Sequence, residues 1–140
     1  MSLRRAGLAV GATHEAVIAT EITRTQLVQY AGASGDYNPL HTDEVYATQQ
    51  AGYPSVFAHG MLTMGMTARM LTDWFGDGRL IRYGVRFTRP VWPGDTLTAH
   101  ATIDAISDEA AGVVATVAVV TTNQNGETVL SGYAAARIDD

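Results

Sequence analysis

The sequence predicts an α+β domain in which an antiparallel sheet wraps one long apolar helix. Residues 60–75, GMLTMGMTARMLTDWF, are apolar on nearly every side apart from Arg69 and Asp73. After them the hydrophobic period changes to two, and the turn-forming stretches PVWPGD and QNGE separate the alternating segments. One strand and two helices ahead of the long helix, with antiparallel strands behind it, describe layers packed around a single core.

The stretch from His14 to Ile22 reads as the first strand, and Thr23 stands where a helix from about Arg24 to Ala33 needs its N-cap. Leu27, Val28, Tyr30 and Ala31 supply that helix with an apolar side. SGDYNPLH follows at residues 34–41, after which Thr42 or Asp43 can cap a short helix reaching about Gln50. AGYPSVFAHG is rich in turn formers and reads as a loop. The helix from Gly60 to about Phe75 is ~24 Å long at 1.5 Å per residue, and a helix apolar all round is a buried helix. Its Met61, Met64, Met66 and Met70 read as adaptable core filler. Gly65 in its middle is ~0.8–1.0 kcal/mol less favourable than alanine, which points to another backbone approaching closely there. Ile81, Tyr83, Val85 and Phe87 then alternate with Arg82, Gly84, Arg86 and Thr88, and Leu97, Ala99, Ala101 and Ile103 repeat the pattern. Val113 to Thr122 and Thr128 to Ile138 complete the strands, joined by a hairpin through Asn125-Gly126.

Composition bounds the function. The 140 residues, 46% of them hydrophobic, suffice for one domain, residues 1–140, with a real core. No run approaches the ~18 apolar residues of a membrane helix. The segment after Arg4 and Arg5 is short, broken by Gly7 and Gly11, and lacks a convincing cleavage region. A cytoplasmic protein without a membrane partner is expected. The absence of cysteine removes disulfides, thiolate nucleophiles and cysteine metal sites, and no metal is expected. A net charge of -5 argues against a nucleic-acid partner and for a small or proteinaceous one. All nine basic residues are arginine, which suits bidentate phosphate contacts but follows equally from a biased composition.

The chemistry concentrates in SGDYNPLH. On one helix, Asp36 and His41 would point ~140° apart, but Pro39 forbids it by pushing Asn38 out of the helical region. A turn can instead bring the carboxylate and the imidazole to face one water, which the pair can orient and whose protons it can exchange. The same residues are also ordinary turn chemistry, with His41 merely preceding a helix cap, and spacing alone leaves both readings open. AHGM adds a second feature: Gly60 opens the long helix, where unpaired N–H groups and the helix dipole favour developing negative charge. A glycine there lets a substrate oxygen approach the backbone, or it answers a need for tight packing; His59 reads as a cap or a core histidine. Together these parts suit a reaction that passes through an enolate.

ASGDYNPLH, AHGMLTMG and VRFTRPVWPGDTL together closely resemble the MaoC-like (R)-specific enoyl-thioester hydratases and (3R)-hydroxyacyl-thioester dehydratases. The resemblance covers roughly Thr23 to Thr98 by motif and the remainder by strand pattern. It implies a hotdog fold, in which the sheet wraps the Gly60 helix, assembled as a dimer or larger oligomer. It implies Asp36 and His41 as the catalytic dyad, Asn38 as a supporting polar group and the Gly60 backbone amide as the oxyanion donor. The implied substrate is a trans-2-enoyl or (3R)-hydroxyacyl thioester of coenzyme A or acyl carrier protein, with no cofactor. Arg82, Arg86 and Arg89 then become phosphate contacts or remain solvated strand charges. The motif is also similar to the catalytic subunit of the heterodimeric dehydratases of mycolic-acid synthesis. A homodimer is the expectation over a heterodimer, because the dyad and the Gly60 helix are both complete in this chain. Two other readings compete. A hotdog thioesterase places an acid on or near the central helix, whose first turns, GMLTMGMTA, contain none. A non-catalytic acyl-binding subunit has no need of Asp36 and His41.

Overall fold

The structure, a computed structural model, describes residues 3–140. Strand β1 (Thr13–Ala19) and helix α1 (Arg24–Ser34) precede a turn region, and helix α2 (Gly60–Phe75) follows it. Strands β2 (Leu80–Phe87), β3 (Leu97–Glu109), β4 (Gly112–Thr122) and β5 (Thr128–Ile138) complete the chain. The five strands form one antiparallel sheet in the order β1-β3-β4-β5-β2. The α+β class and the helix wrapped by a sheet are as the sequence predicts, and the arrangement is the hotdog fold.

Local signals explain the elements. Thr23 caps α1 in a reciprocal box with Gln26, and Gly35, at φ 76°, closes the helix in the left-handed region that glycine favours. The β4–β5 hairpin is held by the Asn123 carboxamide oxygen, which accepts from the N–H groups of Asn125 and Glu127. Between β2 and β3, the buried Asp95 carboxylate accepts from Trp92 N–H and from the Gln124 amide, fixing the PVWPGD turn.

The inner face of the sheet explains how a helix fits against it. Ala99, Ala101, Ala115, Ala134 and Ala136 are all essentially buried and meet Met70, Leu71 and Phe75 of α2 in one cluster. Small residues on the central strands let the helix lie close while its large side chains fill the space between. Register shifts at Ile18, Ile81, Asp104 and Val129 mark bulges in four of the strands, β1, β2, β3 and β5. Each bulge bends its strand and increases twist, which curls the sheet around the helix. A second cluster, with Ile22, Leu27, Ala47, Val56, Ala58 and Val91, joins α1 and the turn region to Leu97 of β3, Val129 of β5 and the first half of α2.

Several expectations need correction. Strand β1 ends at Ala19 rather than Ile22, because Glu21 adopts φ 46° and turns the chain. Ile22 instead exchanges backbone bonds with the loop ahead of β3, donating to Asp95 and accepting from Gly94. Asp43, not Thr42, caps the segment after the motif, whose last turn is a π-helix, Tyr46–Gln50. Helix α2 is not buried all round: Met61 is 59% exposed, and Gly65, Arg69 and Asp73 continue the outward line at four-residue intervals. Of the four methionines only Met70 is a fully buried core residue. Apart from its chain neighbours and its own helix backbone, nothing among the described residues comes within 4 Å of a Cβ built on Gly65, so the expected close approach of another backbone is not seen among them. Ile81 and Phe87 are also exposed, because β2 is an edge strand and the bulge at Ile81 breaks its alternation. Among the described residues, no helix is long and apolar enough to cross a membrane.

Candidate active site

The turn that carries the predicted dyad is built from its own side chains. The Asp36 carboxylate accepts from Asn38 N–H, and the Asn38 carboxamide accepts from Leu40 N–H, so each polar residue folds the chain for the next. Pro39 opens the short 3₁₀ turn Pro39–His41. Asn38 is thus the cap of this turn, and its carboxamide acts on the backbone. Two bonds fasten the Pro39–His41 turn to the loop before α2: Phe57 N–H donates to the Leu40 carbonyl, and the Phe57 carbonyl lies 2.7 Å from His41 Nδ1.

That second bond settles the His41 tautomer. A carbonyl only accepts, so Nδ1 carries the hydrogen and Nε2 keeps its lone pair. Burial lowers the His41 pKa below its ordinary 6.5, and the neighbouring His59 adds to this, outweighing the Phe57 carbonyl and the Asp36 carboxylate, which favour the cation. His41 is therefore neutral at pH 7.

Asp36, His41 and His59 each offer a ligand atom within 4.8 Å of the others. A water held at ~2.8 Å from both members of an acid–base pair spans ~4.6 Å between them, so a separation within 4.8 Å leaves the expected pair within reach of one shared water. Asp36 is exposed and His41 half-buried, which leaves the pair open to solvent on one side. The same three groups form the only cluster of potential metal ligands among the described residues. However, the rings of His41 and His59 are stacked, with centroids 3.8 Å apart and planes inclined by 23°. Metal–nitrogen bonds of ~2.0–2.1 Å run in the imidazole plane, and two nearly parallel planes at this separation do not meet within such a distance. The stacked rings do not form a chelating pair, and the arrangement suits proton transfer better than metal binding.

Gly60 is the first residue of α2, directly after His59. Its N–H has no acceptor among the described residues and stands at the positive end of a 16-residue helix. A Cβ at this position would come within 2.8 Å of the Phe87 ring, so any side chain larger than glycine's fits here only if that ring moves. Beside it lies a cavity of about 380 Å³, lined by Phe57, Ala58, Gly60, Thr63, Phe87 and Arg89 among others. Asp36 and His41 do not line it, but the Phe57 ring, which does, meets His41 edge-on at 5.2 Å.

The structure therefore brings Asp36, Asn38 and His41 into one turn and places Gly60 beside it. Of the three arginines considered for phosphate, Arg82 pairs with Glu109, and Arg89 lines the cavity 3.9 Å from Glu127. Arg86 borders a separate groove with Gly84 and Tyr133. His59 is buried, as a core histidine would be, but it makes no cap hydrogen bond. Its stack on His41 was not visible in the sequence; the one available signal was its place directly before Gly60. The Phe57 carbonyl, a backbone group, left no signal at all.

Comparison with known proteins agrees with this architecture. The family model described as "MaoC like domain" matches residues 6–125. A 3-hydroxyacyl-thioester dehydratase Y of Mycobacterium tuberculosis is 46% identical over 68 residues, covering 46% of this chain and 23% of that protein. An (R)-specific enoyl-CoA hydratase of Rhodospirillum rubrum is 35% identical over 96 residues, covering 67% of this chain and 66% of that protein. The chain spans 24% or less of the length of the first curated relatives it matches. Among solved structures, the unliganded R-hydratase PhaJ1 of Pseudomonas aeruginosa superposes with a TM-score of 0.85 at 29% identity, over 99% of this chain and 87% of that one. A chain of the ChsH1-ChsH2 complex of Mycobacterium tuberculosis gives 0.79 at 28% identity, over 93% and 98%. With its motif turn, its glycine-led central helix and a family match over most of its length, the chain belongs to the MaoC-like domain family.

Proposed function

We propose that this chain is a hydro-lyase that adds water across a trans-2-enoyl thioester to give the (3R)-hydroxyacyl thioester, or catalyses the reverse dehydration. The observation that carries the reading is the approach of His41, with Nδ1 committed to the Phe57 carbonyl, to the Asp36 carboxylate, beside a helix start whose Gly60 N–H has no acceptor among the described residues. In the forward direction a water held by Asp36 and His41 attacks C3 and loses one proton to the pair. The electrons of the double bond move onto the thioester oxygen, where the Gly60 N–H and the dipole of α2 stabilise the enolate. A proton returned from the pair to C2 completes a net addition of one water. The Phe57 carbonyl holds Nδ1–H throughout, which leaves His41 Nε2 as the exchanging atom.

The apolar cavity beside Gly60 accepts part of the thioester, and Arg89 at its wall is the arginine best placed to meet a coenzyme A or acyl carrier protein phosphate. The reaction as proposed draws on side chains and one backbone amide, without a resident cofactor or metal. Hydratase and dehydratase names among the relatives support this reading over a thioesterase or a non-catalytic subunit. The working unit is proposed as a homodimer. Resemblance to a chain of the ChsH1-ChsH2 complex favours one alternative, a heterodimer with a second hotdog chain.

The test is direct: purified chain is mixed with short and long trans-2-enoyl-CoA, and loss of the conjugated thioester absorbance is followed. Chiral analysis should find only the (R) product. No turnover with any chain length, alone or with a hotdog partner, refutes the proposal.

A further inference from the structure

His59 is a buried titratable group for which the proposed reaction has no use. It occupies the N-cap position of α2 yet makes no cap hydrogen bond, where serine or aspartate would serve the helix better. Its side chain is instead 2% exposed. Nε2 lies 3.0 Å from the Asp36 carbonyl oxygen, which only accepts, so Nε2 carries a hydrogen. Nδ1 is buried with no partner. An unsatisfied buried nitrogen is destabilising, and phenylalanine would fill much the same volume without one. Packing alone therefore gives no reason for histidine here.

The reason lies in what the ring touches. One face stacks on His41 at 3.8 Å, while Nε2–H holds the Asp36 backbone. Otherwise the two dyad residues are held separately. His41 is bonded to the Phe57 carbonyl, and Asp36 makes only local bonds with Ser34 and Asn38. The titratable groups facing His59 are His41 and Asp36 from the turn and Tyr30 of α1, whose ring meets it edge-on at 4.8 Å.

We propose that His59 is a positioning residue for the dyad: by donating Nε2–H to the Asp36 carbonyl while its face supports the His41 imidazole, it sets the separation of carboxylate and imidazole. This rests on the reading of Asp36 and His41 as the acid–base pair. The buried ring of His59 excludes water from one face of its neighbour.

Two complementary variants test it. His59→Phe keeps the aromatic face and removes the N–H; His59→Gln offers an N–H and removes the face. Each should lower kcat by about 10–100-fold, the scale of a small misalignment of reacting groups, with KM little changed. An NMR titration of the His41 ring supplies a reading independent of turnover. In His59→Gln, His41 should protonate at higher pH than in wild type, and the acid limb of kcat/KM should move up with it, because water regains access to the ring. If both variants only lower Tm, with His41 titration and kcat of the folded protein as in wild type, the role is structural and the proposal is overturned. If the wild-type chain hydrates no enoyl thioester, the hydratase reading fails on its own. The positioning claim then stands or falls on whether the His41 titration moves in the variants.

Discussion

His41 owes its chemistry to what each of its ring nitrogens meets. Nδ1–H is committed to the Phe57 carbonyl, so only Nε2 is free to take a proton from water. Asp36→Asn and His41→Gln should therefore each lower kcat by about 10²–10⁴, with circular dichroism unchanged; turnover within a few-fold of wild type in either would remove the dyad. Asn38→Ala should be milder, because its carboxamide caps the 3₁₀ turn rather than meeting the reacting atoms. The sign of the pH dependence follows from burial. With the His41 pKa held below 6.5, the active neutral form persists at pH 7 and is lost only as the pH falls through that lowered value. A kcat/KM profile whose acid limb lies above 6.5 would contradict this assignment. Asp36, Asn38 and His41 were legible because one short motif holds them all. His59 was not, because only folding carries its ring back across 23 residues to the Asp36 carbonyl.

At the scale of the element, α2 is positioned by contacts at its start and middle. Gly60→Ala would drive a Cβ into the Phe87 ring. Phe87 is 48% exposed and able to swing aside, so the expected result is a large fall in kcat with a small change in Tm, and Phe87→Ala added to Gly60→Ala should restore Tm. A substantial loss of stability that Phe87→Ala does not relieve would place the strain elsewhere. In the middle of the helix, Thr67 and Thr121 of β4 share a hydroxyl–hydroxyl bond of 2.7 Å with both residues fully buried. Thr67→Val strands the Thr121 hydroxyl and should cost about 1–3 kcal/mol; Thr121→Val should cost less, because the Thr67 hydroxyl also meets Tyr83, and the double replacement should cost less than the two single ones together. Urea unfolding of the four proteins measures this cycle. Nearby, Tyr83 donates its hydroxyl to the Met64 carbonyl, and burial pushes its pKa up to about 12. These polar contacts, like the alanine-lined inner face, were not readable from periodicity, which separates inside from outside but not one buried neighbour from another.

For the whole molecule, the sheet has two open edges, β1 and β2. Beside β2, the exposed side chains Ile81, Phe87 and Tyr133 add apolar surface to unpaired backbone, and Met61 does so on α2. Such an edge invites pairing with another chain, and this is the physical basis for expecting an obligate dimer. Sedimentation of the pure chain, with the hydration assay run on the same sample, should find an active homodimer. An active monomer would refute the dimer. A folded, inactive homodimer that gains activity with a second hotdog chain would replace homodimer by heterodimer. The helical penalty of Gly65 is not offset by close packing against another element among the described residues.

By itself, the sequence determined what depends on short range. The strand periods, the caps at Thr23 and Gly35, the Pro39 turn and the Gly60 helix start all follow from residues within a few positions of one another. These suffice for the fold class and for the turn that carries Asp36 and His41. The tertiary structure decided what depends on distant segments meeting. It aimed His41 by the Phe57 carbonyl, stacked His59 behind it, bent the sheet through its bulges and left one side of α2 uncovered. The physical reason is that local propensity acts through backbone sterics and neighbouring hydrogen bonds. The tautomer and the ionisation of a site depend instead on burial and on partners that only packing can bring.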